Sequence, residues 1–360
     1  MKRLQSRLCY LLIAAFLLIT FNAVRGEKLL IPLNFDKNAV QFVFRRVSDT
    51  NYAPMGTGFM VTVADTHKPL FFLRIPLPGL VFFTYKSKII QSTGYFVTAR
   101  HVLFDDNGHL FPNVYLRLTK TDGGVFYSPL TDGITSGEGR IITPDDKAVD
   151  LAVLRVAKAE SVEEIQRRRV GMTVKPRLGA FDASIIANPE ELKTHNIREG
   201  EEMFFVGLFT PFFGANENIP ICRFGHLSML TDEPIRFADG KAEHLYLMET
   251  ETFGGNSGSP VFFSLNQGYF ARRASEGKSG QPFFSSHEHT RILLAGVMKG
   301  YFPNWSPVTL MNTAVAPFSQ QNTGIAVITP ATYLYDLLFS SEELEFRHRI
   351  WELSRPKGYQ

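Results

Sequence analysis

The sequence is poor in cysteine, in tryptophan and in long apolar runs, and it has no large excess of charge of either sign. Only two of its 360 residues are cysteines, which excludes a scaffold of several disulfides. Hydrophobic residues make up 44% and charged residues 20%, which excludes a disordered chain and a multi-spanning membrane protein. The net charge is +3, but four basic residues and no acidic one lie within the first 26 residues, so the remainder has a net charge of −1 and offers no basic surface for nucleic acid.

The first 26 residues have the pattern of a secretory signal. A basic start at Lys2 precedes an apolar run from Leu8 to Phe21, which is shorter than the roughly 20 residues that span a bilayer. We expect residues 1–26 to be removed and the mature protein to be periplasmic or extracellular, without a membrane span. An uncleaved N-terminal anchor is the alternative. Cleavage would leave Cys222 as the remaining thiol, and its apolar neighbours predict a buried, inert side chain.

Short strand-like segments, separated by turn-rich stretches, dominate the rest of the chain. Its length exceeds the roughly 250–300 residues at which a single core stops growing, so two lobes are expected. Alternating or continuous apolar patterns predict strands at Gln41–Val47, Gly58–Val63, Gly94–Thr98, Val114–Leu118, Leu151–Val156, Glu202–Leu208, Leu245–Glu249, Pro260–Phe263, Ile292–Met298 and Gly324–Ile328.

Helical signals are few. Capping boxes predict a short charged helix from Ser161 to about Arg169 and a last helix from Ser340 to about Leu353. These patterns divide the chain into a signal peptide (1–26), an N-terminal β lobe (27–157), a connector (158–197), a C-terminal β lobe (198–339) and a terminal helix with a tail (340–360).

Three segments place a histidine, an aspartate and a serine, in that order, beside predicted strands. The segment Gly94–Val102 is an apolar strand that delivers His101 at its end. In Val149–Leu154, Asp150 leads into an apolar strand, and in Gly254–Val261 a glycine-rich turn holds Ser257. Each segment alone is typical of a structural histidine, a solvated turn or a surface loop. The combination is far more specific, because a serine hydroxyl becomes a good nucleophile only beside a base such as histidine.

These segments resemble the trypsin/chymotrypsin-like serine peptidases, especially their bacterial secreted members. The resemblance extends from about Gly56 to Ile328. It is carried by Gly56-Thr57-Gly58-Phe59, Thr98-Ala99-Arg100-His101-Val102, Asp150-Leu151-Ala152-Val153-Leu154, Gly255-Asn256-Ser257-Gly258-Ser259-Pro260 and Ala295-Gly296-Val297. It implies an all-β fold of two six-stranded antiparallel barrels, the first with His101 and Asp150 and the second with Ser257.

The resemblance also implies the role of each site residue. Ser257 would be the nucleophile, His101 the general base and then the general acid, and Asp150 the group that fixes the imidazole tautomer. The backbone N–H groups of Gly255 and Ser257 would form the oxyanion hole. The implied activity is a serine endopeptidase that cleaves polypeptides through an acyl-enzyme, with no cofactor and no metal. The alternative is a catalytically silent pair of barrels that binds a peptide or protein.

Substrate preference can be predicted only from position. Glu251 lies where relatives place the floor of the primary specificity pocket, and a carboxylate there would favour Lys or Arg before the scissile bond. Lys299, on the strand expected to line that pocket, could neutralise the carboxylate. In the competing interpretation, Glu249 and Glu251 share one strand face that points to solvent or to a neighbouring basic residue.

Other patterns are less informative. His287-Glu288-His289 could suggest metal ligands, but a solvated loop is favoured because no third ligand stands at a suitable spacing. An α/β-hydrolase elbow would need glycine where Ser259 stands. The apolar stretch Phe71–Phe83, within Lys68–Lys88, favours an elaborated hairpin on the first barrel over an exposed partner-binding surface.

Two further expectations follow from the resemblance. Only the predicted helix and a short tail follow Leu338, so we expect no C-terminal peptide-binding module of the kind that some relatives carry. Asn256 precedes the nucleophile where many animal members place an aspartate that receives a freed amino terminus. An amide there can hydrogen-bond locally, so we expect no proteolytic activation.

Overall fold

The computed structural model describes residues 36–67, 72–76, 82–86, 89–131, 141–156, 176–237, 240–266, 290–307 and 318–354. The predicted signal peptide, the predicted helix from Ser161 and the His287–His289 pair lie outside these residues. No helix among the described segments is long and apolar enough to cross a membrane.

The N-terminal lobe is an antiparallel sheet in which every predicted strand overlaps an observed one. Its strands and those of the hairpin it carries are β1 (Val40–Arg46), β2 (Tyr52–His67), β3 (Phe72–Pro76), β4 (Phe82–Lys86), β5 (Ile89–Thr98), β6 (Val114–Thr119), β7 (Val125–Pro129), β8 (Ile141–Ile142) and β9 (Ala152–Arg155). The sheet has the order β7-β6-β1-β2-β5-β9-β8, and a short strand, β10 (Phe181–Asp182), pairs in parallel with β2. The described residues of this lobe form an eight-stranded sheet in which β7 and β8 are not paired, so closure into the expected six-stranded barrel is not confirmed.

A separate two-stranded hairpin lies between β2 and β5 in the chain, within the stretch Lys68–Lys88. Strands β2 and β5 pair continuously from Gly58 opposite Thr98 to His67 opposite Ile89, and the β3–β4 hairpin connects them. The pairing of Phe72–Pro76 with Phe82–Lys86 agrees with the hairpin of the favoured interpretation. Its packing, and with it any partner contact, lies outside the described side chains.

The C-terminal lobe is a closed six-stranded barrel, as the resemblance implied. Its strands follow the order β11-β12-β15-β18-β17-β16, and a separate β13–β14 ribbon accompanies them. The bounds are β11 (Glu202–Gly207), β12 (Ile221–Met229), β13 (Ile235–Arg236), β14 (Ala242–Glu243), β15 (Tyr246–Glu249), β16 (Pro260–Asn266), β17 (Thr290–Pro307) and β18 (Phe318–Pro330).

Strand β12 was not predicted, because its apolar pattern is weak. Most of its residues are exposed or half-buried, and Phe224 is 64% exposed. Cys222 lies on this strand and is exposed, so the prediction of a buried thiol was wrong. Partial desolvation raises the pKa of the Cys222 thiol, so the reactive thiolate is disfavoured there.

Four α-helices lie among the described residues: α1 (Arg100–Leu103), α2 (Pro189–Thr194), α3 (Ala331–Leu338) and α4 (Ser341–Ser354). Helix α4 is the predicted last helix, and the Ser340 hydroxyl accepts a hydrogen bond from the Glu343 N–H at its start. Helix α2 was missed inside a stretch of loop-like composition. The Asn188 side chain caps it and Pro189 occupies its first turn, a start signal too short to stand out in the sequence.

Alternation along β11 places the two cores on opposite faces of one strand. Phe204 and Val206 pack into a cluster that also contains Phe59 of the first sheet, whereas Met203 and Phe205 point into the barrel interior. Apart from Asn266, Thr290 and Arg291, the described residues of both lobes belong to one compact unit. The lobes therefore share a buried apolar seam, which fixes the first sheet against the barrel.

Candidate active site

The register of two neighbouring strands brings His101 and Asp150 together. Thr98 of β5 lies opposite Ala152 of β9 in an antiparallel pair, so the residues just after Thr98 meet those just before Ala152. Helix α1 then turns His101 back toward the strand end. The His101 ring Nδ1 lies 2.6 Å from Asp150 Oδ2, and the His101 backbone N–H donates to Asp150 Oδ1 at 2.9 Å.

The Asp150 carboxylate is buried and charged. Burial by itself would raise its pKa, but hydrogen bonds from the ring and backbone of His101 outweigh burial and lower it, with a smaller contribution from the charge of Lys299. Its side chain is 8% exposed, whereas that of His101 is 47% exposed. Because Nδ1 is engaged by Asp150, the other ring nitrogen, Nε2, is left for a proton acceptor role toward the open side.

A glycine-rich turn carries Ser257 between β15 and β16. Gly255 and Gly258 have φ values of 97° and 84°, a backbone region that other residues rarely adopt. A Cβ at Gly258 would also overlap the carbonyl oxygen of Thr57. The turn is tied to β17 because the Gly258 N–H donates to the Met298 carbonyl at 2.7 Å.

The Asn256 amide holds this turn locally, as the sequence predicted. Its Nδ2 donates to the Leu208 carbonyl at 2.8 Å and its Oδ1 accepts from the Phe253 N–H at 2.9 Å. The side chain is 2% exposed and both ends of the amide are bonded. The turn is therefore formed without an ion pair at this position.

The two amides assigned to the oxyanion hole have no internal partner. Neither the Gly255 N–H nor the Ser257 N–H donates a hydrogen bond to another described residue. Such amides can bind a developing negative charge at no cost in broken internal bonds.

The Ser257 hydroxyl is half-buried and donates to the Lys299 carbonyl at 3.1 Å. Among the described hydrogen bonds of the site, none joins it to the His101 ring. Gly56 lies between the two segments, since a Cβ there would be 2.9 Å from both the Ser257 carbonyl and the side chain of Val102. The nucleophile candidate and the histidine segment are thus packed against the same residue of β2.

A cleft of about 680 Å³ opens beside this site. His101 and Asp150 line one part of it, and Lys299 lines another. The Lys299 ammonium pairs with Glu243, whose side chain is 7% exposed, and lies 5.3 Å from the centre of the Phe237 ring. Glu243 was not predicted, because the β13–β14 ribbon that carries it gives no strong pattern in the sequence.

The structure does not bring Glu251 to Lys299. The Glu251 side chain is 70% exposed, and its Oε2 lies 3.8 Å from Arg223 Nη2, while Arg223 also donates to the Glu251 carbonyl at 2.6 Å. Glu251 lies beyond the end of β15, and strand β12 presents Arg223 beside it, so its side chain faces a neighbouring basic residue. The carboxylate that neutralises Lys299 is Glu243.

No metal centre is apparent in the part of the chain that is described. No group of three or more histidine, cysteine, aspartate or glutamate side chains is arranged there to hold an ion.

Comparison with solved structures finds distant resemblances. Two structures of the HtrA-type protease AlgW with a tripeptide are 12% and 13% identical to this chain and cover 85% and 88% of it, with TM-scores of 0.38 and 0.36. A crystal structure of Deg5 is 14% identical and covers 73% of this chain and 80% of its own length, with a TM-score of 0.33. The chain spans 61% and 60% of the two AlgW structures.

No curated protein matches the chain by sequence. The profile of the trypsin-like peptidase domain does match it over residues 87–269, about half of the chain. This range contains His101, Asp150 and Ser257. The chain therefore belongs to the family of trypsin-like serine peptidases.

Proposed function

We propose that this protein is a serine endopeptidase with Ser257 as nucleophile, His101 as general base and acid, and Asp150 as the residue that orients the imidazole. The observation that carries the proposal is the double contact of Asp150 with the ring and the backbone of His101. A carboxylate that holds Nδ1 selects the tautomer in which Nε2 can accept a proton. It also stabilises the imidazolium that then forms.

The reaction would proceed in two halves. His101 Nε2 takes the proton of Ser257 Oγ as a bond forms between Oγ and the carbonyl carbon of the substrate. The resulting oxyanion is bound by the N–H groups of Gly255 and Ser257. The C–N bond then breaks as His101 returns the proton to the leaving amine, which leaves an acyl-enzyme. Water repeats these steps, with His101 again as base, and releases the acid.

The proposal requires one rotation. Ser257 Oγ must turn about χ1 away from the Lys299 carbonyl and donate to His101 Nε2. Catalytic hydrogen bonds are often long or absent before substrate binds. The hydrogen bond to Lys299 is also the one observation that favours the alternative, a catalytically silent protein that binds a polypeptide.

We also propose that the protein is exported and needs no proteolytic activation. The basic and apolar start of the sequence supports export to the periplasm or the extracellular space. The locally bonded amide of Asn256 supports an oxyanion turn that forms on folding.

Labelling with a fluorophosphonate probe, located by mass spectrometry, tests the function. We expect the wild type to be labelled at Ser257 and to cleave a peptide library, and Ser257→Ala and His101→Ala to lose nearly all of both activities. Ser259→Ala is the matched control, because its hydroxyl lies in the same turn, fully buried and without a hydrogen-bond partner among the described residues. Peptidase activity that survives Ser257→Ala, or an unlabelled wild type, would contradict the proposal.

A further inference from the structure

Thr57 of β2 reaches from the first sheet into the turn that carries the nucleophile. It is fully buried. Its N–H donates to the Ser257 carbonyl at 2.8 Å, and its hydroxyl donates to the Gly255 carbonyl at 2.8 Å. Two carbonyls of the turn, on either side of Asn256, are therefore held by one residue of the other lobe.

A second hydrogen bond fixes the orientation of the Thr57 hydroxyl. Its oxygen accepts from the Leu208 N–H at 2.9 Å, so both its donor and its acceptor functions are used. The Leu208 carbonyl accepts from the Asn256 side chain, so Leu208, the residue that follows β11, is bonded both to Thr57 and to the turn. On the other side, the Thr98 hydroxyl donates to the Thr57 carbonyl at 2.6 Å.

These contacts restrain the peptides that directly follow the two free amides, namely the peptide after Gly255 and the peptide after Ser257. The Gly255 carbonyl and the Asn256 N–H belong to the peptide between Gly255 and Asn256. The Ser257 carbonyl belongs to the peptide between Ser257 and Gly258. Gly255 has a φ of 97° and lacks a Cβ, so steric limits on its own rotation are weak. The Thr57 hydroxyl holds the carbonyl side of the peptide after Gly255, and the Phe253 carbonyl holds its other side by accepting from the Asn256 N–H at 3.1 Å.

We propose that Thr57 is a positioning residue for the oxyanion hole and acts through its hydroxyl. It fixes the peptide after Gly255, so that the N–H groups of Gly255 and Ser257 converge on one point before substrate binds. This inference rests on the proposed function. It adds that the first lobe, which carries His101 and Asp150, also sets the geometry of the nucleophile turn on the second.

The test compares Thr57→Val, which keeps the shape and removes the hydroxyl, with Thr57→Ser, which keeps the hydroxyl. The matched control is Thr62→Val in the same strand, whose hydroxyl donates to the Phe181 carbonyl at 3.4 Å, away from the turn. For each variant kcat and KM, the rate of fluorophosphonate labelling at Ser257 and the Ki of a peptide aldehyde are measured, with circular dichroism as the check of folding.

For Thr57→Val we expect kcat to fall by roughly 10- to 100-fold and aldehyde affinity to weaken in parallel, with KM changed less than about twofold. Thr57→Ser and Thr62→Val should remain within about threefold of wild type. If Thr57→Val does not fold, Thr57→Ala takes its place. Failure of both to fold would overturn the inference in favour of a structural role.

The outcomes separate the two proposals. A wild type that is not labelled at Ser257 contradicts the proposed function and, with it, this inference. A labelled wild type together with a Thr57→Val variant that has the same kcat and aldehyde affinity overturns the role of Thr57 alone.

Discussion

At the scale of single residues, the site depends on one carboxylate whose charge is maintained in a buried place. Asp150 is 8% exposed, a position in which burial alone would raise the pKa of a carboxyl group. Two hydrogen bonds from His101 reverse that tendency. The same two bonds that would orient the imidazole for catalysis therefore also keep Asp150 ionised.

The lowered pKa of Asp150 gives a pH dependence of stability with a defined sign. A carboxyl whose folded pKa lies below its ordinary value of 3.8 stabilises the fold above that value, and this contribution is lost as pH falls through the folded pKa. Asp150→Asn cannot titrate. We expect its deficit in unfolding free energy to be largest above about pH 5 and to shrink at lower pH, while kcat falls by about 10⁴-fold.

Guanidinium unfolding between pH 3 and 7 measures this difference, with Asp106→Asn, an exposed acid of the same cleft, as the control. A wild type and an Asp150→Asn variant whose stabilities change in parallel over that range would show that His101 does not lower the pKa of Asp150.

At the scale of elements, helix α4 is docked on the first sheet by buried charges. Arg155 of β9 donates through Nε to Glu343 Oε1 at 2.8 Å, and Tyr95 of β5 donates its hydroxyl to Glu343 Oε2 at 3.0 Å.

One turn later in α4, Arg347 donates through Nε to Asp65 of β2 at 2.8 Å and through Nη1 to the Leu338 carbonyl. Burial raises the pKa of Tyr95, so its hydroxyl stays a donor. The last helix is thus bonded to three strands of the first sheet, β2, β5 and β9.

Two adjacent glutamates provide a matched test of this docking. Glu342 and Glu343 both contact Arg155, but the Glu342 side chain is 74% exposed and that of Glu343 is 1% exposed. Glu343→Gln leaves the Arg155 guanidinium buried without its main counter-charge, so we expect a loss of about 3–5 kcal/mol in the free energy of unfolding. Glu342→Gln should change it by less than about 1 kcal/mol.

Denaturant titrations of both variants measure their free energies of unfolding. Equal effects of the two substitutions would mean that burial does not govern the strength of these ion pairs and that the apolar face of α4 alone holds the helix.

At the scale of the whole molecule, a buried arginine connects the two lobes near the site. Arg117 of β6 is 2% exposed, and its guanidinium donates to Asn218 Oδ1 at 2.7 Å and to the Gly214 carbonyl at 2.5 Å. It also contacts the carbonyls of Phe213 and Glu217 in the same β11–β12 loop. That loop begins at Leu208, which bonds both Thr57 and Asn256, so the lobe contact and a support of the nucleophile turn lie in one loop.

The Arg117 guanidinium donates to several acceptors in fixed directions, which predicts that lysine cannot replace these contacts. Lysine carries the same charge but cannot reach several carbonyls at once in fixed directions. We expect Arg117→Lys to lower the free energy of unfolding by about 2–3 kcal/mol, because buried carbonyls lose their donors. Arg177→Lys is the control, since Arg177 makes an exposed ion pair with Glu217 at 3.2 Å and should change stability by less than about 1 kcal/mol.

Urea unfolding followed by tryptophan fluorescence and by far-UV circular dichroism checks this prediction. If Arg117→Lys is as stable as Arg177→Lys, the guanidinium contacts do not contribute to the joining of the lobes.

The sequence by itself determined the features that depend on neighbouring residues. Alternation along β5 and β11 predicted strands because it reports which face of a strand is apolar. The Ser340 cap predicted where α4 begins, and the local motifs singled out His101, Asp150 and Ser257. Only the tertiary structure decided which distant groups meet. Glu243 beside Lys299 and the Thr57 hydroxyl on the Gly255 carbonyl join residues far apart in the chain. Periodicity marks a face as polar or apolar but does not name its partner, because that partner is set by strand register and by the packing of one lobe on the other.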